Sequence, residues 1–471
     1  MDLKSQFEAL ERQYKLNPFP ALKERKNILL AIKKIVQQEA YTIAEAVNKD
    51  FTHRSTDETL FLEIFPTIRA IDYCLKKMKH WMKKRRRNVS WLFLPASAYV
   101  IPQPLGVIGN LVPWNYPVYL SIVPALYALA AGNRVMIKMS ELSTHTGLVL
   151  HSLFHTMGLD NFIQVVNGGI DVSEQFSELP FGHLMFTGST RVGKLVMKAA
   201  SENLTPVTLE LGGKSPAILS STMNINYFKR LFMGKLFNAA QTCIAPDYLL
   251  VPEGWDRVVE AEFKKFIHVH YPELMSNDNY SSIITSDHKA RLLDILDDAR
   301  LKGARIVEFG TEKSRSNKMP MYLLFNATND MKVMKEELFG PVLPVLNYKK
   351  FDDAIAYVNA SPNPLVLYYF GESKQEKEDI QIRTLSGALT INDTIMHVAI
   401  DDLPFGGVGH SGMGQYHGPE GFNTFSKLKP VLVQKRFSPC VLLYPPYGRL
   451  MKLFLTCIAG IKTKKNNDEV S

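Results

Sequence analysis

The sequence predicts an α/β protein built from two or three domains. Its 471 residues exceed the size of most single domains. Over residues 104–212, strand-like apolar runs alternate with helical patterns, which is typical of a parallel sheet covered by helices. A second alternation begins after Gly213. The composition, 46% hydrophobic and 21% charged, is ordinary for a soluble globular protein.

The expected elements follow one another along the chain. Apolar residues at helical spacing predict helices over 20–50 and 57–84. The first alternation predicts strands at 104–113, 134–139, 162–168, 183–188 and 206–212, with helices from about Val118, up to about Gly158, and over 190–201. The second predicts strands at 217–220 and 247–252 and helices around 225–240, 255–267 and 287–304. The glycine-rich stretch 387–418 predicts a strand, a loop and a tight turn.

The net charge of +9 is concentrated in two short runs, at residues 83–87 and 462–465. Such runs bind nucleic acid, phosphate or anionic lipid, or are simply solvated. No interleaved aromatic pattern accompanies them, so we favour a solvated loop and tail and expect no nucleic-acid partner. The four scattered cysteines form no CxxC motif, which indicates neither a disulfide framework nor a metal site.

Two apolar stretches raise the question of membrane contact. Residues 111–132 carry no charge, but three prolines and Asn115 favour a buried strand end, a loop and a core helix. Residues 451–461 are too short to span a bilayer, and either a membrane surface or a groove of the protein itself suits them. The charged N-terminus has no signal-peptide pattern, and the cysteine usage fits a reducing compartment, so we expect a cytoplasmic protein.

Three residues are candidates for catalysis. Cys243, between Gln-Thr and Ile-Ala-Pro, is either a nucleophile or a buried structural cysteine. A nucleophilic role requires a lowered thiol pKa or a base nearby. Glu210 precedes two glycines, which leaves an open space suited to a general base that activates water. Asn115 lies between prolines, as a turn residue or as an amide donor to a developing oxyanion.

Further motifs suit a nucleotide, although each has a purely structural alternative. Gly188, Ser189 and Gly193 form a GxTxxG turn before a helix, which favours a phosphate or is only a tight turn. Lys138 and Glu141 follow a strand and either bond ribose hydroxyls or form a surface ion pair.

A last pair of candidates follows later in the chain. Glu337 and Phe339 precede a Gly-Pro turn and either grip a sugar and a flat ring or mark a helix end.

Taken together, the motifs resemble the aldehyde dehydrogenase superfamily from near the N-terminus to about residue 430. They occur in the order PWNYP, IKMSE, FTGSTRVG, LELGGKSP, QTCIAPDY, EELFGPV and LPFGGVGHSGMGQYHG. QTCIAPDY and the glycine-rich motif are similar to the class 3 branch, and WMKKRRRNVS with HVAIDDLPFGGVG resembles bacterial coniferyl aldehyde dehydrogenases. Ala240 departs from the pattern, because relatives commonly carry glycine there.

The resemblance implies a role for each candidate. Cys243 would be the nucleophile and Glu210 the base, and Asn115 with the Cys243 N–H would hold the oxyanion. The implied coenzyme contacts are Lys138 and Glu141 at the adenosine ribose, the 188–193 turn with Ser189 at the diphosphate, Glu337 at the nicotinamide ribose and Phe339 at the ring, with Trp114 in the same site. The coenzyme would be NAD, with NADP left open.

The resemblance also implies an organisation and a partner. A Rossmann-like NAD-binding domain would comprise 1–82 and 104–210, and an α/β catalytic domain 211–395. A small β oligomerisation domain would come from 83–103 and 396–430, with a C-terminal tail at 431–471. The protein would be a homodimer whose small domain extends a partner's sheet by edge pairing.

The implied reaction is oxidation of an aldehyde to its acid through a thiohemiacetal and a thioester. Coniferyl or another aromatic aldehyde is the expected substrate, with medium- or long-chain fatty aldehydes as the alternative. A CoA-acylating enzyme would not need Glu210 as a base. A non-catalytic phosphate- or lipid-binding protein would use neither Cys243 nor Glu210.

Overall fold

The structure is a computed structural model that describes residues 2–310 and 317–461. The basic residues expected near 462–465 lie outside the described part of the chain. The strands, in chain order, are β1 (Arg85–Arg87), β2 (Ser97–Pro104), β3 (Val107–Leu111), β4 (Arg134–Lys138), β5 (Ile163–Val166), β6 (His183–Gly188), β7 (Val207–Leu211), β8 (Pro216–Leu219), β9 (Tyr248–Pro252), β10 (Arg305–Phe309), β11 (Met321–Phe325), β12 (Val342–Tyr348), β13 (Val366–Phe370), β14 (Ala388–Ile391), β15 (Gly412–Met413) and β16 (Ser426–Val433).

Helices connect most of these strands, and they confirm most of the expected helical segments. In chain order they are α1 (Leu3–Leu16), α2 (Leu22–Gln38), α3 (Ala40–Asp50), α4 (Thr56–Thr59), α5 (Phe65–Trp81), α6 (Pro117–Ala131), α7 (Thr144–Thr156), α8 (Ile170–Ser177), α9 (Thr190–Ser201), α10 (Phe228–Leu236), α11 (Asp256–His270), α12 (Ser286–Leu301), α13 (Lys332–Lys335), α14 (Phe351–Asn359), α15 (Lys374–Arg383), α16 (Gly418–Thr424) and α17 (Arg449–Ala459).

The chain divides into two units. The larger contains residues up to Trp81 together with Pro104–Ser426, and the smaller contains Met82–Gln103 and the chain from Lys427 onward. The expected small-domain segment 396–430 is thus divided between the two units, with its residues up to Ser426 in the larger one.

A six-stranded sheet in the larger unit positions the first half of the site. Its order is β15-β7-β6-β3-β4-β5, and all neighbours are parallel except β15, which is antiparallel to β7. The chain proceeds from β3 outward to β5 and then returns to β6 on the other side of β3. Ligands of open α/β sheets bind at such a switch point, beyond the carboxyl ends of the strands. Here those ends are Leu111 of β3 and Gly188 of β6.

A seven-stranded sheet forms the other half of the larger unit. Its order is β10-β11-β12-β9-β8-β13-β14, and only the β10–β11 pair is antiparallel. The segment that carries Cys243 lies between α10 and β9. The two sheets confirm the two alternations expected from the sequence.

The uncharged stretch 111–132 is a strand end, a loop and a core helix, as expected. All residues of α6 are buried, and Pro117 occupies its first turn. The helix ends at Gly132, whose φ of +100° lies in the left-handed region that glycine tolerates. Among the described residues, no helix is long and apolar enough to cross a membrane.

Two expected helices are wrong in part. The helix expected over 57–84 is interrupted at Leu60–Ile64 by a π-helical turn between α4 and α5. The helix expected around 225–240 ends at Leu236, and Asn238 to Ala240 instead have positive φ angles. Both departures occur where buried side chains bond to distant segments, which local helical periodicity does not reveal.

The smaller unit contains a three-stranded sheet and a terminal helix. The strand order is β1-β2-β16, with β1 antiparallel to β2. The helix α17 exposes Leu450 and Leu453.

Candidate active site

Two cavities of the larger unit meet at Cys243. One has a volume of about 200 Å³ and is bounded mainly by apolar side chains, and the other, of about 270 Å³, has a more polar lining. Residues that border both cavities are Thr187, Glu210, Leu211 and Cys243. Any group bound in one cavity therefore faces a group bound in the other across the thiol.

An unusual backbone segment leads to Cys243. Asn238, Ala239 and Ala240 have φ angles of +52°, +50° and +63°, so three consecutive residues are left-handed. This conformation costs roughly 1–2 kcal/mol for each residue with a Cβ atom. At position 240, where related sequences commonly carry glycine, this chain has alanine. Glycine would adopt the same φ without that cost.

Buried hydrogen bonds hold this segment in place. The Gln241 side-chain amide donates to the carbonyls of Asn238 at 3.0 Å and Ser282 at 2.9 Å, and its Oε1 accepts from the Ile284 N–H at 2.9 Å. The Asn238 N–H donates to the carboxylate of Glu58. These bonds fix the approach of the chain to Cys243.

The Cys243 thiol is not activated by a lowered pKa. Burial raises the pKa of Cys243 to about 12, and the nearby charges of Glu337 and Glu210 add to that increase. A nucleophilic cysteine needs either a lowered thiol pKa or a base nearby. Here the structure provides the second, because carboxyl groups lie close to the sulfur.

Glu210 lies at the end of β7, where it is opposite Thr187 of β6. Its side chain is buried, and neither carboxyl oxygen meets a hydrogen-bond partner in good geometry among the described residues. Burial raises the pKa of Glu210 well above its ordinary value. A buried carboxyl group that borders both cavities and has no ion-pair partner among the described residues is suited to accept a proton from water.

Asn115 follows β3 and is buried beside the polar cavity. Its side-chain amide donates to the carbonyl of Gln241 at 3.1 Å, two residues before the candidate nucleophile. In return, the side chain of Asn238 donates to the Asn115 carbonyl at 3.0 Å. The structure thus brings Asn115, Glu210 and Cys243 together from three distant segments.

Glu337, Phe339 and Trp114 also border the polar cavity. The rings of Trp114 and Phe339 meet edge to face, with centroids 5.4 Å apart. The carboxyl group of Glu337 lies over Gly212, where the Cβ atom of any other residue would collide with it. Burial raises the pKa of Glu337 to about 8.

The residues of the glycine turn after β6 lie in two different places. Gly188 and Ser189 border the polar cavity, and the Ser189 hydroxyl caps α9 by accepting the Val192 N–H at 3.4 Å. Gly193 instead packs under α9, where an added Cβ would collide with Leu211. Gly193 therefore allows the helix to approach β7 closely.

Lys138 and Glu141 border neither cavity. The Lys138 ammonium group is buried and donates to the carbonyls of Met139 at 2.7 Å and Gly168 at 2.8 Å. Burial lowers the pKa of Lys138. Glu141 is exposed, in the first turn after β4.

Sequence reasoning did not identify the wall of the apolar cavity. Phe61 and Phe65 on one side and Met396 on the other all line it and are partly exposed. Tyr416 lines it as well, and its buried hydroxyl has no hydrogen-bond partner in good geometry among the described residues. The apolar pattern of 57–84 indicated a helix, but no local signal indicated which of its side chains would face a cavity.

Comparison with known proteins agrees with this geometry. The profile of the aldehyde dehydrogenase family matches residues 7–431. A probable coniferyl aldehyde dehydrogenase of Pseudomonas aeruginosa is 49% identical over 448 residues, which cover 95% of this chain and 94% of that protein. A 4,4'-diaponeurosporen-aldehyde dehydrogenase of Staphylococcus aureus is 37% identical over 90% of this chain and 92% of that protein.

A solved structure provides a third match. The substrate-bound state of Staphylococcus aureus AldH has a TM-score of 0.91 and 35% identity, covering 97% of this chain and 100% of that one. From its sequence, its fold and the residues assembled around Cys243, the chain belongs to the aldehyde dehydrogenase family.

Proposed function

We propose that this aldehyde dehydrogenase oxidises an aromatic aldehyde of the coniferyl type to its carboxylic acid, with NAD as coenzyme. The observation that carries the proposal is the meeting of an apolar and a more polar cavity at Cys243. The aldehyde occupies the apolar cavity, and the nicotinamide end of the coenzyme occupies the other.

Cys243 is the proposed nucleophile. Its Sγ, after losing the thiol proton, bonds to the aldehyde carbon, and the carbonyl oxygen becomes an oxyanion. The Asn115 side-chain amide and the Cys243 N–H donate to that oxygen. Removing one such donor typically costs about 3–4 kcal/mol in the barrier.

The polar cavity suits the nicotinamide riboside. We assign Glu337 to the ribose hydroxyls and Phe339 to the ring, with Trp114 beside it, because a partly buried carboxyl group and two aromatic rings converge there. When bound there, NAD would supply the acceptor for the hydride of the aldehyde carbon, and Cys243 would then hold the acyl group as a thioester.

The remaining coenzyme contacts lie outside this cavity or at its edge. Gly188 and Ser189 stand at the N-terminus of α9, which favours the diphosphate, and Gly193 lets that helix pack closely. Lys138 and Glu141, at the end of β4, are assigned to the adenosine ribose. An acidic side chain there favours NAD over NADP, and the exposed position of Glu141 leaves it free to move.

Glu210 is the proposed general base of the second half-reaction. It takes a proton from water, whose oxygen bonds to the thioester carbon. The carbon–sulfur bond breaks, the acid leaves, and Cys243 recovers its proton. Glu210 and Cys243 border the same two cavities, which supports this role.

The size and lining of the apolar cavity support an aromatic substrate. An apolar protein cavity of about 150 Å³ is known to hold benzene. A cavity of about 200 Å³ therefore suits a ring with a short unsaturated chain. The name of the Pseudomonas aeruginosa relative supports the same class.

Medium- or long-chain fatty aldehydes are the second candidate. Their tails would extend outward past Phe61 and Phe65, whose partly exposed rings form an apolar rim. The Staphylococcus aureus relative, named for a diaponeurosporen aldehyde, supports this alternative.

The smaller unit carries two further proposals. The three-stranded sheet is proposed to pair with a partner's sheet in a homodimer, since the expected oligomerisation segment 83–103 forms two of its strands. Peripheral membrane contact through the tail is supported by charge, because every charged residue of 431–465 is Lys or Arg and the two acidic residues of the tail, Asp468 and Glu469, come only at its end. We propose the domain roles expected above for the larger unit.

One set of kinetic measurements tests the proposed reaction. We expect kcat/KM to be higher for cinnamyl and benzyl aldehydes than for alkyl aldehydes. We also expect kcat/KM to be higher with NAD as coenzyme than with NADP. If kcat/KM instead increases steadily up to long chains, by a factor that corresponds to about 0.8 kcal/mol for each added methylene, the fatty aldehyde alternative would be supported. Cys243→Ala should abolish activity with NAD affinity kept, and retained turnover would refute the assignment of the nucleophile.

A further inference from the structure

We infer that Arg54 is a positioning residue for the reaction, because its guanidinium group fixes the turn that presents Asn115 to the oxyanion. This inference rests on the proposed function, in which the Asn115 amide is an oxyanion donor. Arg54 borders neither cavity, but it bonds to Asn115, which borders the more polar one.

The Arg54 side chain is completely buried and bonds to the Asn115 turn directly. Its Nη1 atom donates to the backbone carbonyl of Asn115 at 3.1 Å and to the Glu63 carboxylate at 2.8 Å. Both side chains of the Arg54–Glu63 ion pair are fully buried. The pair is thus held away from water, where an ion pair is directional and rigid.

Glu63 connects the ion pair to α6, the helix that follows the Asn115 turn. Its second carboxylate oxygen accepts the N–H groups of Val118 at 2.8 Å and Tyr119 at 3.1 Å, in the first turn of α6. A carboxylate at a helix N-terminus satisfies N–H groups that have no partner within the helix. The ion pair therefore holds the turn at Asn115 and the start of α6 as one body.

The π-helical turn explains how Glu63 reaches that position. Leu60–Ile64 forms the turn, in which the extra residue changes the direction of the side chains relative to an ordinary helix. Glu63 points inward to Arg54, while Phe61 and Phe65 line the apolar cavity.

Arg54 also acts on the turn through Tyr116. The guanidinium carbon lies 4.9 Å from the centre of the Tyr116 ring. The Tyr116 hydroxyl is 2.7 Å from the Thr242 hydroxyl, and Asn115 donates to Gln241 at 3.1 Å. Arg54 is therefore two contacts away from each of the two residues that precede Cys243.

Stability alone does not explain a charged pair at this place. The Nε and Nη2 atoms of Arg54 have no hydrogen-bond partner in good geometry among the described residues. Replacing a buried ion pair with apolar residues is often neutral or stabilising. What the pair provides is a fixed orientation for the Asn115 turn.

A matched control exists at the opposite end of α6. Arg25 is also buried, and it donates to the carbonyls of Pro20 and Ala130, both at 2.9 Å. It holds the C-terminal end of the helix and borders neither cavity. Arg25→Lys and Arg54→Lys make the same chemical change at the two ends of one buried helix.

The test is a double-mutant cycle on the full-length protein. Arg54→Lys, Asn115→Ala and the double variant are assayed for kcat, for KM of aldehyde and NAD, and for Tm. We expect Arg54→Lys to lower kcat by up to about 100-fold, as misplacement of a reacting group does, with little change in the KM for NAD. Arg25→Lys should lower Tm comparably and leave kcat near that of the wild type.

The decisive result is the interaction between the two substitutions. If Arg54 acts through Asn115, Arg54→Lys causes no further loss of kcat in the Asn115→Ala background. An equal loss in both backgrounds, or an equal loss in Arg25→Lys, would overturn the positioning role and leave the proposed function intact.

Two further results of the same experiment have their own interpretation. Wild-type kcat in Asn115→Ala would refute the oxyanion assignment within the proposed function, and the positioning role with it. If Arg54→Lys does not fold, Glu63→Gln tests the same pair, and the same non-additivity with Asn115→Ala is expected; additive losses would again overturn the inference.

Discussion

Cys243 and Glu210 both border the apolar cavity and the more polar cavity. They come from different parts of the larger unit, since Glu210 is in β7 of the six-stranded sheet and Cys243 lies in the segment that leads to β9 of the seven-stranded sheet. In the proposed reaction, the thiol at this boundary serves the first half as nucleophile, and the carboxyl group serves the second half as base. Burial is the main cause of the raised pKa of the Cys243 thiol, and the nearby charges of Glu337 and then Glu210 add to it.

The first prediction concerns the division of labour between these two residues. Glu210→Gln should form about one equivalent of NADH rapidly and then stall, because attack by Cys243 and hydride loss precede the step that needs the base. Steady-state turnover should fall by about 100-fold or more. Intact-mass spectrometry should detect the acyl-enzyme, and unchanged steady-state turnover would contradict the assignment.

The second prediction concerns the pH dependence of turnover. The base must be ionised to accept a proton from water, and burial raises the pKa of Glu210 well above its ordinary value. We therefore expect kcat to keep increasing with pH above the range in which an ordinary glutamate, with a pKa near 4.5, is already ionised. A profile that is already flat from pH 5 upward would show that Glu210 titrates normally and would contradict the expected burial effect.

The third prediction concerns stability in the absence of coenzyme. The pKa of Glu337 is raised from 4.5 to about 8 in the folded protein, so the folded state keeps a proton that the unfolded state releases. Its contribution to the free energy of unfolding is greatest below pH 4.5 and decreases as pH rises to about 8. Glu337→Gln does not titrate and removes this decrease.

Thermal unfolding between pH 4.5 and 9 measures that effect. The Tm of Glu337→Gln relative to the wild type should increase with pH through this window. Glu336→Gln is the control, since Glu336 is the adjacent and exposed carboxylate. A Tm difference that does not depend on pH would contradict the raised pKa of Glu337.

The fourth prediction concerns the left-handed segment before Cys243. Ala240→Gly should relieve backbone strain of roughly 1–2 kcal/mol in the folded protein. Glycine also stabilises the unfolded chain by roughly 0.4–1 kcal/mol, which offsets part of that gain. We expect a net increase of about 0.5–1 kcal/mol in the free energy of unfolding, measured by chemical denaturation. Ala128→Gly, in the buried helix α6, should instead destabilise by about 1 kcal/mol. A loss in both variants would show that the Ala240 backbone is not strained.

Much of the fold was predictable because it depends on local patterns. Apolar periodicity located most helices, and the two strand–helix alternations correspond to the two large sheets. Motifs with glycine or proline beside a reactive side chain indicated Asn115, Glu210 and Cys243, which the structure brings together. By contrast, Lys138 and Glu141 border neither cavity, and their coenzyme role stays a prediction.

The sequence by itself determined the α/β class, the order of the elements and the chemistry available at Cys243. These depend on residue type and on spacing over a few turns of chain. Only the tertiary structure decided the π-helical turn at Leu60–Ile64 and the left-handed segment before Gln241. Both are stabilised by buried bonds to residues far away in sequence, such as those of Glu63 to the start of α6. A local conformation that is unfavourable alone becomes stable when distant partners satisfy its polar groups, and no short window of sequence contains those partners.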